Sequence, residues 1–475
     1  MSLKLFSAAT ASLFIVLFSP AVLAQDAAGE TPASSEQAAA RPAADKPARK
    51  KLFPDDVPGL QEFAIESFEN GDYMRFIQAN IKLREKRPYE QQYMIGMVVG
   101  AALLNKQNTA YNYMHVMQQQ GLSYDFDATE DTESIRGTEV YEYLNGLLIE
   151  AGQPMGEARE AFTLPSSAVH PEAIAWDESR DRFLVGSIVD GSVNAVSMSG
   201  EIEALIPADD ESGLLAITGI AVDEKHKRLW VSSAGVPGFA GLDPAMLGIG
   251  ALFEFDLASL DLIKRHDIPA DGLPHVPGNL AVTPSGDVYF IDRAVPMVFR
   301  KQASAGGVQP YVASKELTGL KDLALSDSGE TLYIADGALG IMVIDLNQST
   351  SAMLTGPESL NLGGISGLMF SDNSLVMMQN GINPQRIMRL ELAPDGQSVT
   401  EVNALAIALP YFNAPAFGTV VDDAVFYFAD GNQPGQAPEP GETLVLKTPL
   451  VLSEVIVPAD YRKFQEKKAE LDAKD

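Results

Sequence analysis

The sequence contains no cysteine, only two tryptophans, and roughly half as many basic as acidic residues. Over 475 residues, the absence of cysteine excludes a disulfide framework, thiol catalysis and thiolate metal sites. The 34 Lys and Arg residues against 64 Asp and Glu give a formal net charge of −30 at pH 7. This charge repels nucleic acid and anionic membrane surfaces, so we expect no nucleic-acid partner and easier binding of cations or of neutral and cationic small molecules.

Apolar runs of membrane-spanning length are also missing beyond the N-terminus. The N-terminal run LFIVLFSP follows Lys4 and leads to Ala-Val-Leu-Ala ending at Ala24. This order is that of a cleaved signal peptide over residues 1–24, and no cysteine follows it to carry a lipid. We expect an exported protein, periplasmic or secreted, without a membrane span.

Three further segments are separated by composition. Residues 25–52 are rich in Ala and Pro and are expected to be a disordered linker. Residues 53–162 have the apolar spacing of short amphipathic helices, interrupted by Gly or Pro at Gly71, Pro88 and Gly121. The charged residues 459–475 are expected to form a solvated helix or a frayed tail.

The helical segment resembles a degenerate tetratricopeptide-like array of helical hairpins. Such arrays expose concave surfaces, so the resemblance implies a protein partner. A group of methionines falls within this segment and suits either a helical core or an adaptable binding surface. Its members are Met74, Met94, Met97, Met114 and Met117.

A repeated unit of apolar strand, polar turn and apolar strand organises residues 163–458. Copies begin AIAWDESRDRFLV, GIAVDEKHKRLWV, NLAVTPSGDVYFI, DLALSDSGETLYI and GLMFSDNSLVMM, with a shorter sixth copy, GTVVDDAVFYFA. Equivalent positions in the first five are 46, 60, 43 and 45 residues apart. Repeats of about 40–50 residues built from short strands are typical of propeller blades, so we predict an all-β, six-bladed β-propeller.

The propeller geometry brings the start of each first strand and the end of each second strand to one face of the disc. The channel mouth on that face is the predicted site of small-molecule binding, because long loops collect there. Strand-ending Asp and Asn residues also form ordinary turns with their own backbone, which is the alternative explanation for them. The candidate binding residues are Glu172, Thr218, Asn279, Lys321, Asp322 and Ser366.

The motifs PEAIAW from Pro171 and LALSDSGETLYIAD from Leu323 resemble the senescence-marker-protein, gluconolactonase and luciferin-regenerating-enzyme family. The resemblance implies a divalent cation held by a first-blade Glu, a fourth-blade Asn and a fifth-blade Asp, which activates a lactone or ester. Glu172 matches the first of these, whereas Lys321 and Ser366 stand at the other two. An ammonium group cannot ligate a cation, and Lys321 could instead pair with Glu172 across the channel.

A shift of one residue in this alignment restores a possible Ca²⁺ set of Glu172, Asn279 and Asp322. His170 and His275 each lie just before a first strand and are candidate general bases for lactone hydrolysis, although such histidines are commonly loop residues. The sequence has no nucleophile elbow, P-loop, dinucleotide fingerprint or His-based zinc motif.

These observations favour an exported binding or scaffold protein, with helices for a protein partner and a propeller mouth for a small ligand, and with no cofactor. The alternative is a Ca²⁺-dependent lactonase or arylesterase-like hydrolase. A third hypothesis is a catalytically inactive relative that still binds a sugar acid or lactone.

Overall fold

A computed structural model describes residues 53–165, 171–207, 212–304, 306–431 and 442–451. The expected signal peptide (1–24), linker (25–52) and charged tail (459–475) lie outside the described residues, and those expectations stay predictions.

The helical segment folds as predicted into antiparallel helices joined by short turns. Side chains of Asp56, Asp72 and Thr138 cap three of the helices by accepting backbone N–H bonds. Gly71 and Gly121 adopt positive φ values of 72° and 62° directly after two helices, where a side chain would be strained. No helix in the described part of the chain is both long and apolar enough to cross a membrane. The helices are α1 (Val57–Glu69), α2 (Tyr73–Lys86), α3 (Gln91–Leu103), α4 (Gln107–Gln119) and α5 (Glu139–Glu150).

The methionine group is mainly core. Met94, Met97, Met114 and Met117 are at most 1% exposed and pack in one cluster with Leu148. Met74 alone of the five faces solvent, at 41% exposure. The four buried thioethers therefore fill the space between helices, and the adaptable-surface interpretation does not apply to them.

The first three blades are four-stranded antiparallel sheets in which consecutive strands pair. Blade one comprises β3 (Pro171–Asp177), β4 (Arg182–Ser187), β5 (Val193–Ser197) and β6 (Ile202–Ile206). Blade two comprises β7 (Ala216–Asp223), β8 (Arg228–Ala234), β9 (Gly250–Asp256) and β10 (Leu262–Asp267). Blade three comprises β11 (Pro277–Val282), β12 (Val288–Asp292), β13 (Met297–Lys301) and β14 (Val308–Ala313).

The last three blades include two strands that come from before the repeats. Blade four comprises β15 (Leu320–Leu325), β16 (Thr331–Asp336), β17 (Gly340–Asp345) and β18 (Thr350–Met353). Blade five comprises β19 (Ile365–Ser371), β20 (Ser374–Gln379), β21 (Arg386–Leu392), β22 (Val399–Ile407) and, at its edge, β1 (Met155–Gly156). Blade six comprises β23 (Ala416–Val421), β24 (Ala424–Phe428), β25 (Thr443–Pro449) and β2 (Arg159–Leu164).

The six blades form a closed ring, as predicted. Each innermost strand contacts the innermost strands of both neighbouring blades, and β23 of blade six meets β3 of blade one. The apolar residues between adjacent blades form the propeller core, for example Phe183 of blade one against Phe426 of blade six, with ring centroids 4.9 Å apart. A blade has two apolar faces, so each needs both neighbours to cover them.

The ring is closed by a strand from the N-terminal side. Strand β2 pairs with β25, with Leu164 opposite Thr443, and so supplies the outer strand of blade six. We expected the propeller to begin at residue 163, but β1 and β2 extend its share of the chain back to Met155. The repeat pattern does not reveal these strands because they lack the hairpin partner that marks the other copies.

The helices dock on the mouth face of the propeller, over blades four and five. The β20–β21 loop inserts Ile382 into the helical core, where it packs with Met94 and Leu148 and is 8% exposed. The carbonyl of Asn383, in the same loop, accepts a hydrogen bond from the backbone N–H of Ser123, which follows α4, at 2.8 Å. The two parts of the chain therefore share one apolar core.

A buried arginine completes this interface. Arg386 is 3% exposed and donates through Nη1 to the carbonyl of Gln120 at 2.9 Å and through Nε to Gln379 at 2.7 Å. Burial lowers its pKa to about 10, because no carboxylate among the described residues offsets the loss of water. The amide of Asn361 also donates to the Gln120 side chain at 2.9 Å. These hydrogen bonds connect the end of α4 to blade five.

Replacing Ile382 with Ala should lower the free energy of unfolding by about 2–4 kcal/mol, because it leaves a cavity in the shared core. Urea unfolding followed by far-ultraviolet circular dichroism measures the change. Ile263→Ala, at a residue 45% exposed on β10, is the matched control and should change the value by less than about 0.5 kcal/mol. Equal effects of the two substitutions would mean that Ile382 does not hold the helices to the propeller.

Candidate functional site: the channel mouth

The channel mouth is built from a β-bulge repeated in all six blades. In each innermost strand the pairing with the second strand shifts by one residue near its start. A bulge bends the strand and redirects the extra side chain. The residues at the bulges are Glu172, Thr218, Gly278 with Asn279, Lys321, Ser366 and Phe417.

This register places Lys321, and not Asp322, at the position equivalent to Glu172. Asp322 is one residue further along and pairs with Ala335 in the regular part of the sheet. The shifted alignment that groups Glu172, Asn279 and Asp322 thus does not follow the backbone equivalence of the blades.

Glu172 is held by Arg293, a residue that the sequence analysis did not identify. Arg293 Nη1 donates to Glu172 Oε2 at 2.7 Å, and its guanidinium carbon lies 5.3 Å from the Phe417 ring centroid. Arg293 belongs to blade three and Phe417 to blade six, which are opposite in a six-membered ring. The arginine side chain therefore reaches across the channel axis at the mouth.

Arg293 had a signal in the sequence. It directly follows the Asp that ends the second strand of blade three. The residues at the equivalent position of the other blades carry no charge: Ile188, Ala234, Gly337, Asn380 and Ala429. A single cation at a position that is otherwise uncharged indicates a side chain directed at the channel.

Lys321 does not pair with Glu172, because Arg293 occupies that carboxylate. The Lys321 side chain is exposed to the water of the mouth, and no carboxylate of the described residues forms an ion pair with it. The surrounding protein walls lower its pKa, with Arg293 contributing, while Asp336 and Glu90 act in the opposite direction. Two cations therefore share the mouth.

Glu90 comes from the turn between α2 and α3 and was also missed. Burial raises its pKa, and the charges of Arg87, Asp336 and Lys321 act on it. The neighbouring Tyr89 lies against Gly340 and Gly363 of the propeller, where a Cβ would meet it at 2.8 and 2.4 Å. The helical region thus forms one side of the mouth, which depends on a domain contact that sequence patterns do not contain.

Asn279 and Asp322 are brought together in the channel wall. The Asn279 amide donates to Asp322 Oδ1 at 2.8 Å, and the backbone N–H of Leu368 donates to Oδ2 at 2.7 Å. Asp322 is 5% exposed, and its removal from water raises its pKa to about 6 even though these donors favour the charged form. The carboxyl group links blades three, four and five.

Thr218 and Ser366 join neighbouring blades. The Thr218 hydroxyl donates to the carbonyl of Pro277, and the Ser366 hydroxyl donates to the carbonyl of Pro415 at 2.9 Å. Each bond runs from one bulge to the start of the next blade's inner strand. Their hydroxyl groups are thereby committed to the wall, and Thr218 is only 1% exposed.

His275 is buried between two carboxylates. Its Nδ1 lies 2.6 Å from Asp292 Oδ2 and its Nε2 lies 3.1 Å from Asp271 Oδ1. Both ring nitrogens are therefore engaged, and the imidazole shapes the loop before β11. His170 lies outside the described residues, so its approach to His275 stays a prediction.

Below the mouth the channel encloses a cavity of about 270 Å³. Asn279 and Asp322 are its polar side chains near the mouth, together with Thr419 deeper inside. Most of the other lining residues are aliphatic or aromatic: Ile174, Ile220, Leu280, Leu323, Leu368, Met369, Phe370 and Phe417. Polar atoms nevertheless form most of the accessible lining, so the site combines a charged rim with a polar-lined interior.

A divalent cation does not fit this arrangement. Glu172 is paired with Arg293, both oxygens of Asp322 accept N–H bonds, and Lys321 adds a second positive charge to the rim. In the described part of the chain no group of three His, Asp or Glu residues has metal-binding geometry. A dication would face two cations and no free carboxylate of the proposed set.

No family model matches the chain, and no curated protein matches it. Among solved structures, a gluconolactonase-family protein is similar at 14% identity over 62% of this chain and 92% of its own, with a TM-score of 0.41. Virginiamycin B lyase from Staphylococcus aureus is 11% identical over 62% of this chain and 99% of its own, with a TM-score of 0.40. A glucose dehydrogenase-type oxidoreductase from Thermus thermophilus is 15% identical over 62% of this chain and 99% of its own, with a TM-score of 0.41. With TM-scores below 0.5, these neighbours carry no argument about family or activity.

The Asp322 carboxyl should make stability depend on pH. Because its pKa is raised from 3.8 to about 6 on folding, the folded state holds the proton more tightly, and this contribution is lost as the pH rises between those values. The unfolding free energy of the wild type relative to Asp322→Asn should fall by about 3 kcal/mol from about pH 4 to about pH 7. Urea titrations across this range measure it, with the exposed Asp327→Asn as the control. A constant difference between wild type and Asp322→Asn would contradict the raised pKa.

Proposed function

We propose that this chain is an exported binding protein whose propeller mouth takes a small ligand and whose helical region contacts a protein partner. The observation that carries the proposal is the ion pair between Glu172 and Arg293 at the centre of the mouth. A carboxylate neutralised in this way positions an arginine and is poorly placed to ligate a metal. The signal-like residues 1–24 support export.

Among the described residues, the rim has no complete set of groups for hydrolysis. A lactonase needs an activated electrophile or a free base within reach of it. Among the described candidates, His275 has both nitrogens bonded and Asp322 accepts three N–H bonds. The donors left at the mouth belong to Arg293, Lys321 and Asn279, which suit recognition.

The partner-binding part of the proposal rests on the outer helix. On α5, Val140 and Ile149 are 51% and 39% exposed, whereas Tyr141 and Leu148 are buried in the helical core. Exposed apolar side chains on an end helix are typical of contact surfaces. The loops after α2 and α4 already contact the propeller, so α5 is the face open to another protein.

Calcium tests the binding function against the hydrolase alternative. The melting temperature should not change in millimolar CaCl₂ compared with MgCl₂ or EDTA, because a resident ion stabilises the folded state only where ligands are free. Lactone or aryl-ester turnover, if any, should be the same in Glu172→Gln as in the wild type. A calcium-specific rise in melting temperature, or turnover abolished by Glu172→Gln, would establish the hydrolase instead.

A photo-crosslinking residue tests the partner surface. Placed at Val140 in an exporting bacterial host, it should give a defined protein adduct. The same residue at Ile263, which is similarly exposed on blade two, should not give that adduct. Equal labelling at both positions, or none at Val140, would refute a partner on α5.

A further inference from the structure

The two cations of the mouth have hydrogen-bonding capacity that the protein does not use. A guanidinium carries five N–H donors and an ammonium three. In the described residues Arg293 makes one side-chain hydrogen bond, to Glu172, and Lys321 makes none. The Arg293 side chain is 23% exposed and Lys321 is exposed, so their remaining donors face the solvent of the mouth.

The nearby strand-ending carboxylates are not available to these cations. Asp292 accepts backbone N–H bonds from Val276, Ala294 and Val295 and also contacts His275. The Asp336 carboxylate likewise accepts hydrogen bonds from Thr318 and Gly319 before β15 and from Ala338 and Leu339 after β16. The hydrogen bonds of both acids are used by their own turns, although the charge of Asp336 still acts on Lys321 together with that of Glu90.

Two glycines make room for the cationic side chains. A Cβ at Gly278 would lie 2.9 Å from Arg293 Nε, and a Cβ at Gly337 would lie 3.0 Å from Lys321 Cε. Both distances are shorter than an ordinary van der Waals contact. The backbone of blades three and four therefore accommodates these two side chains in their positions at the mouth.

Phe417 contacts the Arg293 guanidinium and also lines the cavity of about 270 Å³ below the mouth. Polar atoms form most of the accessible lining of this cavity, so it gives no preference for an apolar ligand. Ligand recognition at the mouth therefore depends on the two cations.

We propose that the mouth binds a small carboxylate, its carboxylate group bridging Arg293 and Lys321. Carboxylates match the fork of a guanidinium and accept strongly from an ammonium. This inference rests on the proposed ligand-binding function and names the ligand class. It reverses the expectation, drawn from the net charge of −30, that anions are poor ligands, because the local pair of cations opposes the overall field.

Benzoate is the probe, and benzamide is its uncharged counterpart of similar shape. Titration into isotopically labelled protein, followed by amide chemical shifts, should show benzoate binding at the mouth with at least about tenfold higher affinity than benzamide, since each charge-assisted bond is worth about this factor. Lys321→Met should abolish the preference and Lys321→Arg should retain it. Lys315→Met, an exposed lysine in the loop before β15 on the same face, is the control for net charge and should change nothing.

Glu172→Gln gives the most specific test. Removing this carboxylate frees Arg293 and takes away a repulsive charge, so benzoate affinity should rise several-fold. A fall or no change would overturn the bridging geometry.

If benzamide binds as well as benzoate, the ligand class is wrong while the ligand-binding function stands. If neither probe perturbs the mouth residues, the carboxylate site is wrong. Calcium stabilisation is a separate readout, so failure of the proposed function is recognised independently.

Discussion

Ring closure is the constraint on which the rest of this structure depends. Each blade leaves two apolar faces that only its neighbours can cover, so the blades are stable as a complete circle. The outer strand of blade six, Arg159–Leu164, comes from the N-terminal side of the repeats and pairs with Thr443–Pro449. Closure therefore ties the end of the helical segment to the propeller rim and limits where the helices can dock.

The docking turns two sequence segments into one unit. A propeller loop contributes Ile382 to the helical core, and the buried Arg386 satisfies carbonyl groups at the end of a helix. An unpaired buried charge is tolerated here because its donors are bonded to carbonyl and amide oxygens. One consequence is functional, since Glu90 and Tyr89 of the helical region border the channel mouth.

The charge of the channel mouth is set by a few side chains at equivalent backbone positions. Bulges in all six inner strands direct side chains to the same ring, so the identity of each bulged residue decides the local charge. Lys321 at one bulge and Arg293 across the axis place two cations at this mouth. The acidic surface of the chain as a whole then has little bearing on what the mouth recognises at short range, because exposed charges are screened by salt over about 10 Å.

The strand repeats, helix stops and bulge positions could be predicted from the sequence, because they depend on local periodicity and on Gly and Pro conformations. The ring of Glu172, Thr218, Lys321 and Ser366 follows from that periodicity alone. The periodicity does not determine which partner each of these side chains contacts. Whether Glu172 meets Lys321, Arg293 or neither depends on distances across a channel between residues 121 positions apart. Only the closed ring and the docked helices determine those distances, because long-range packing is not encoded in the spacing of any single segment.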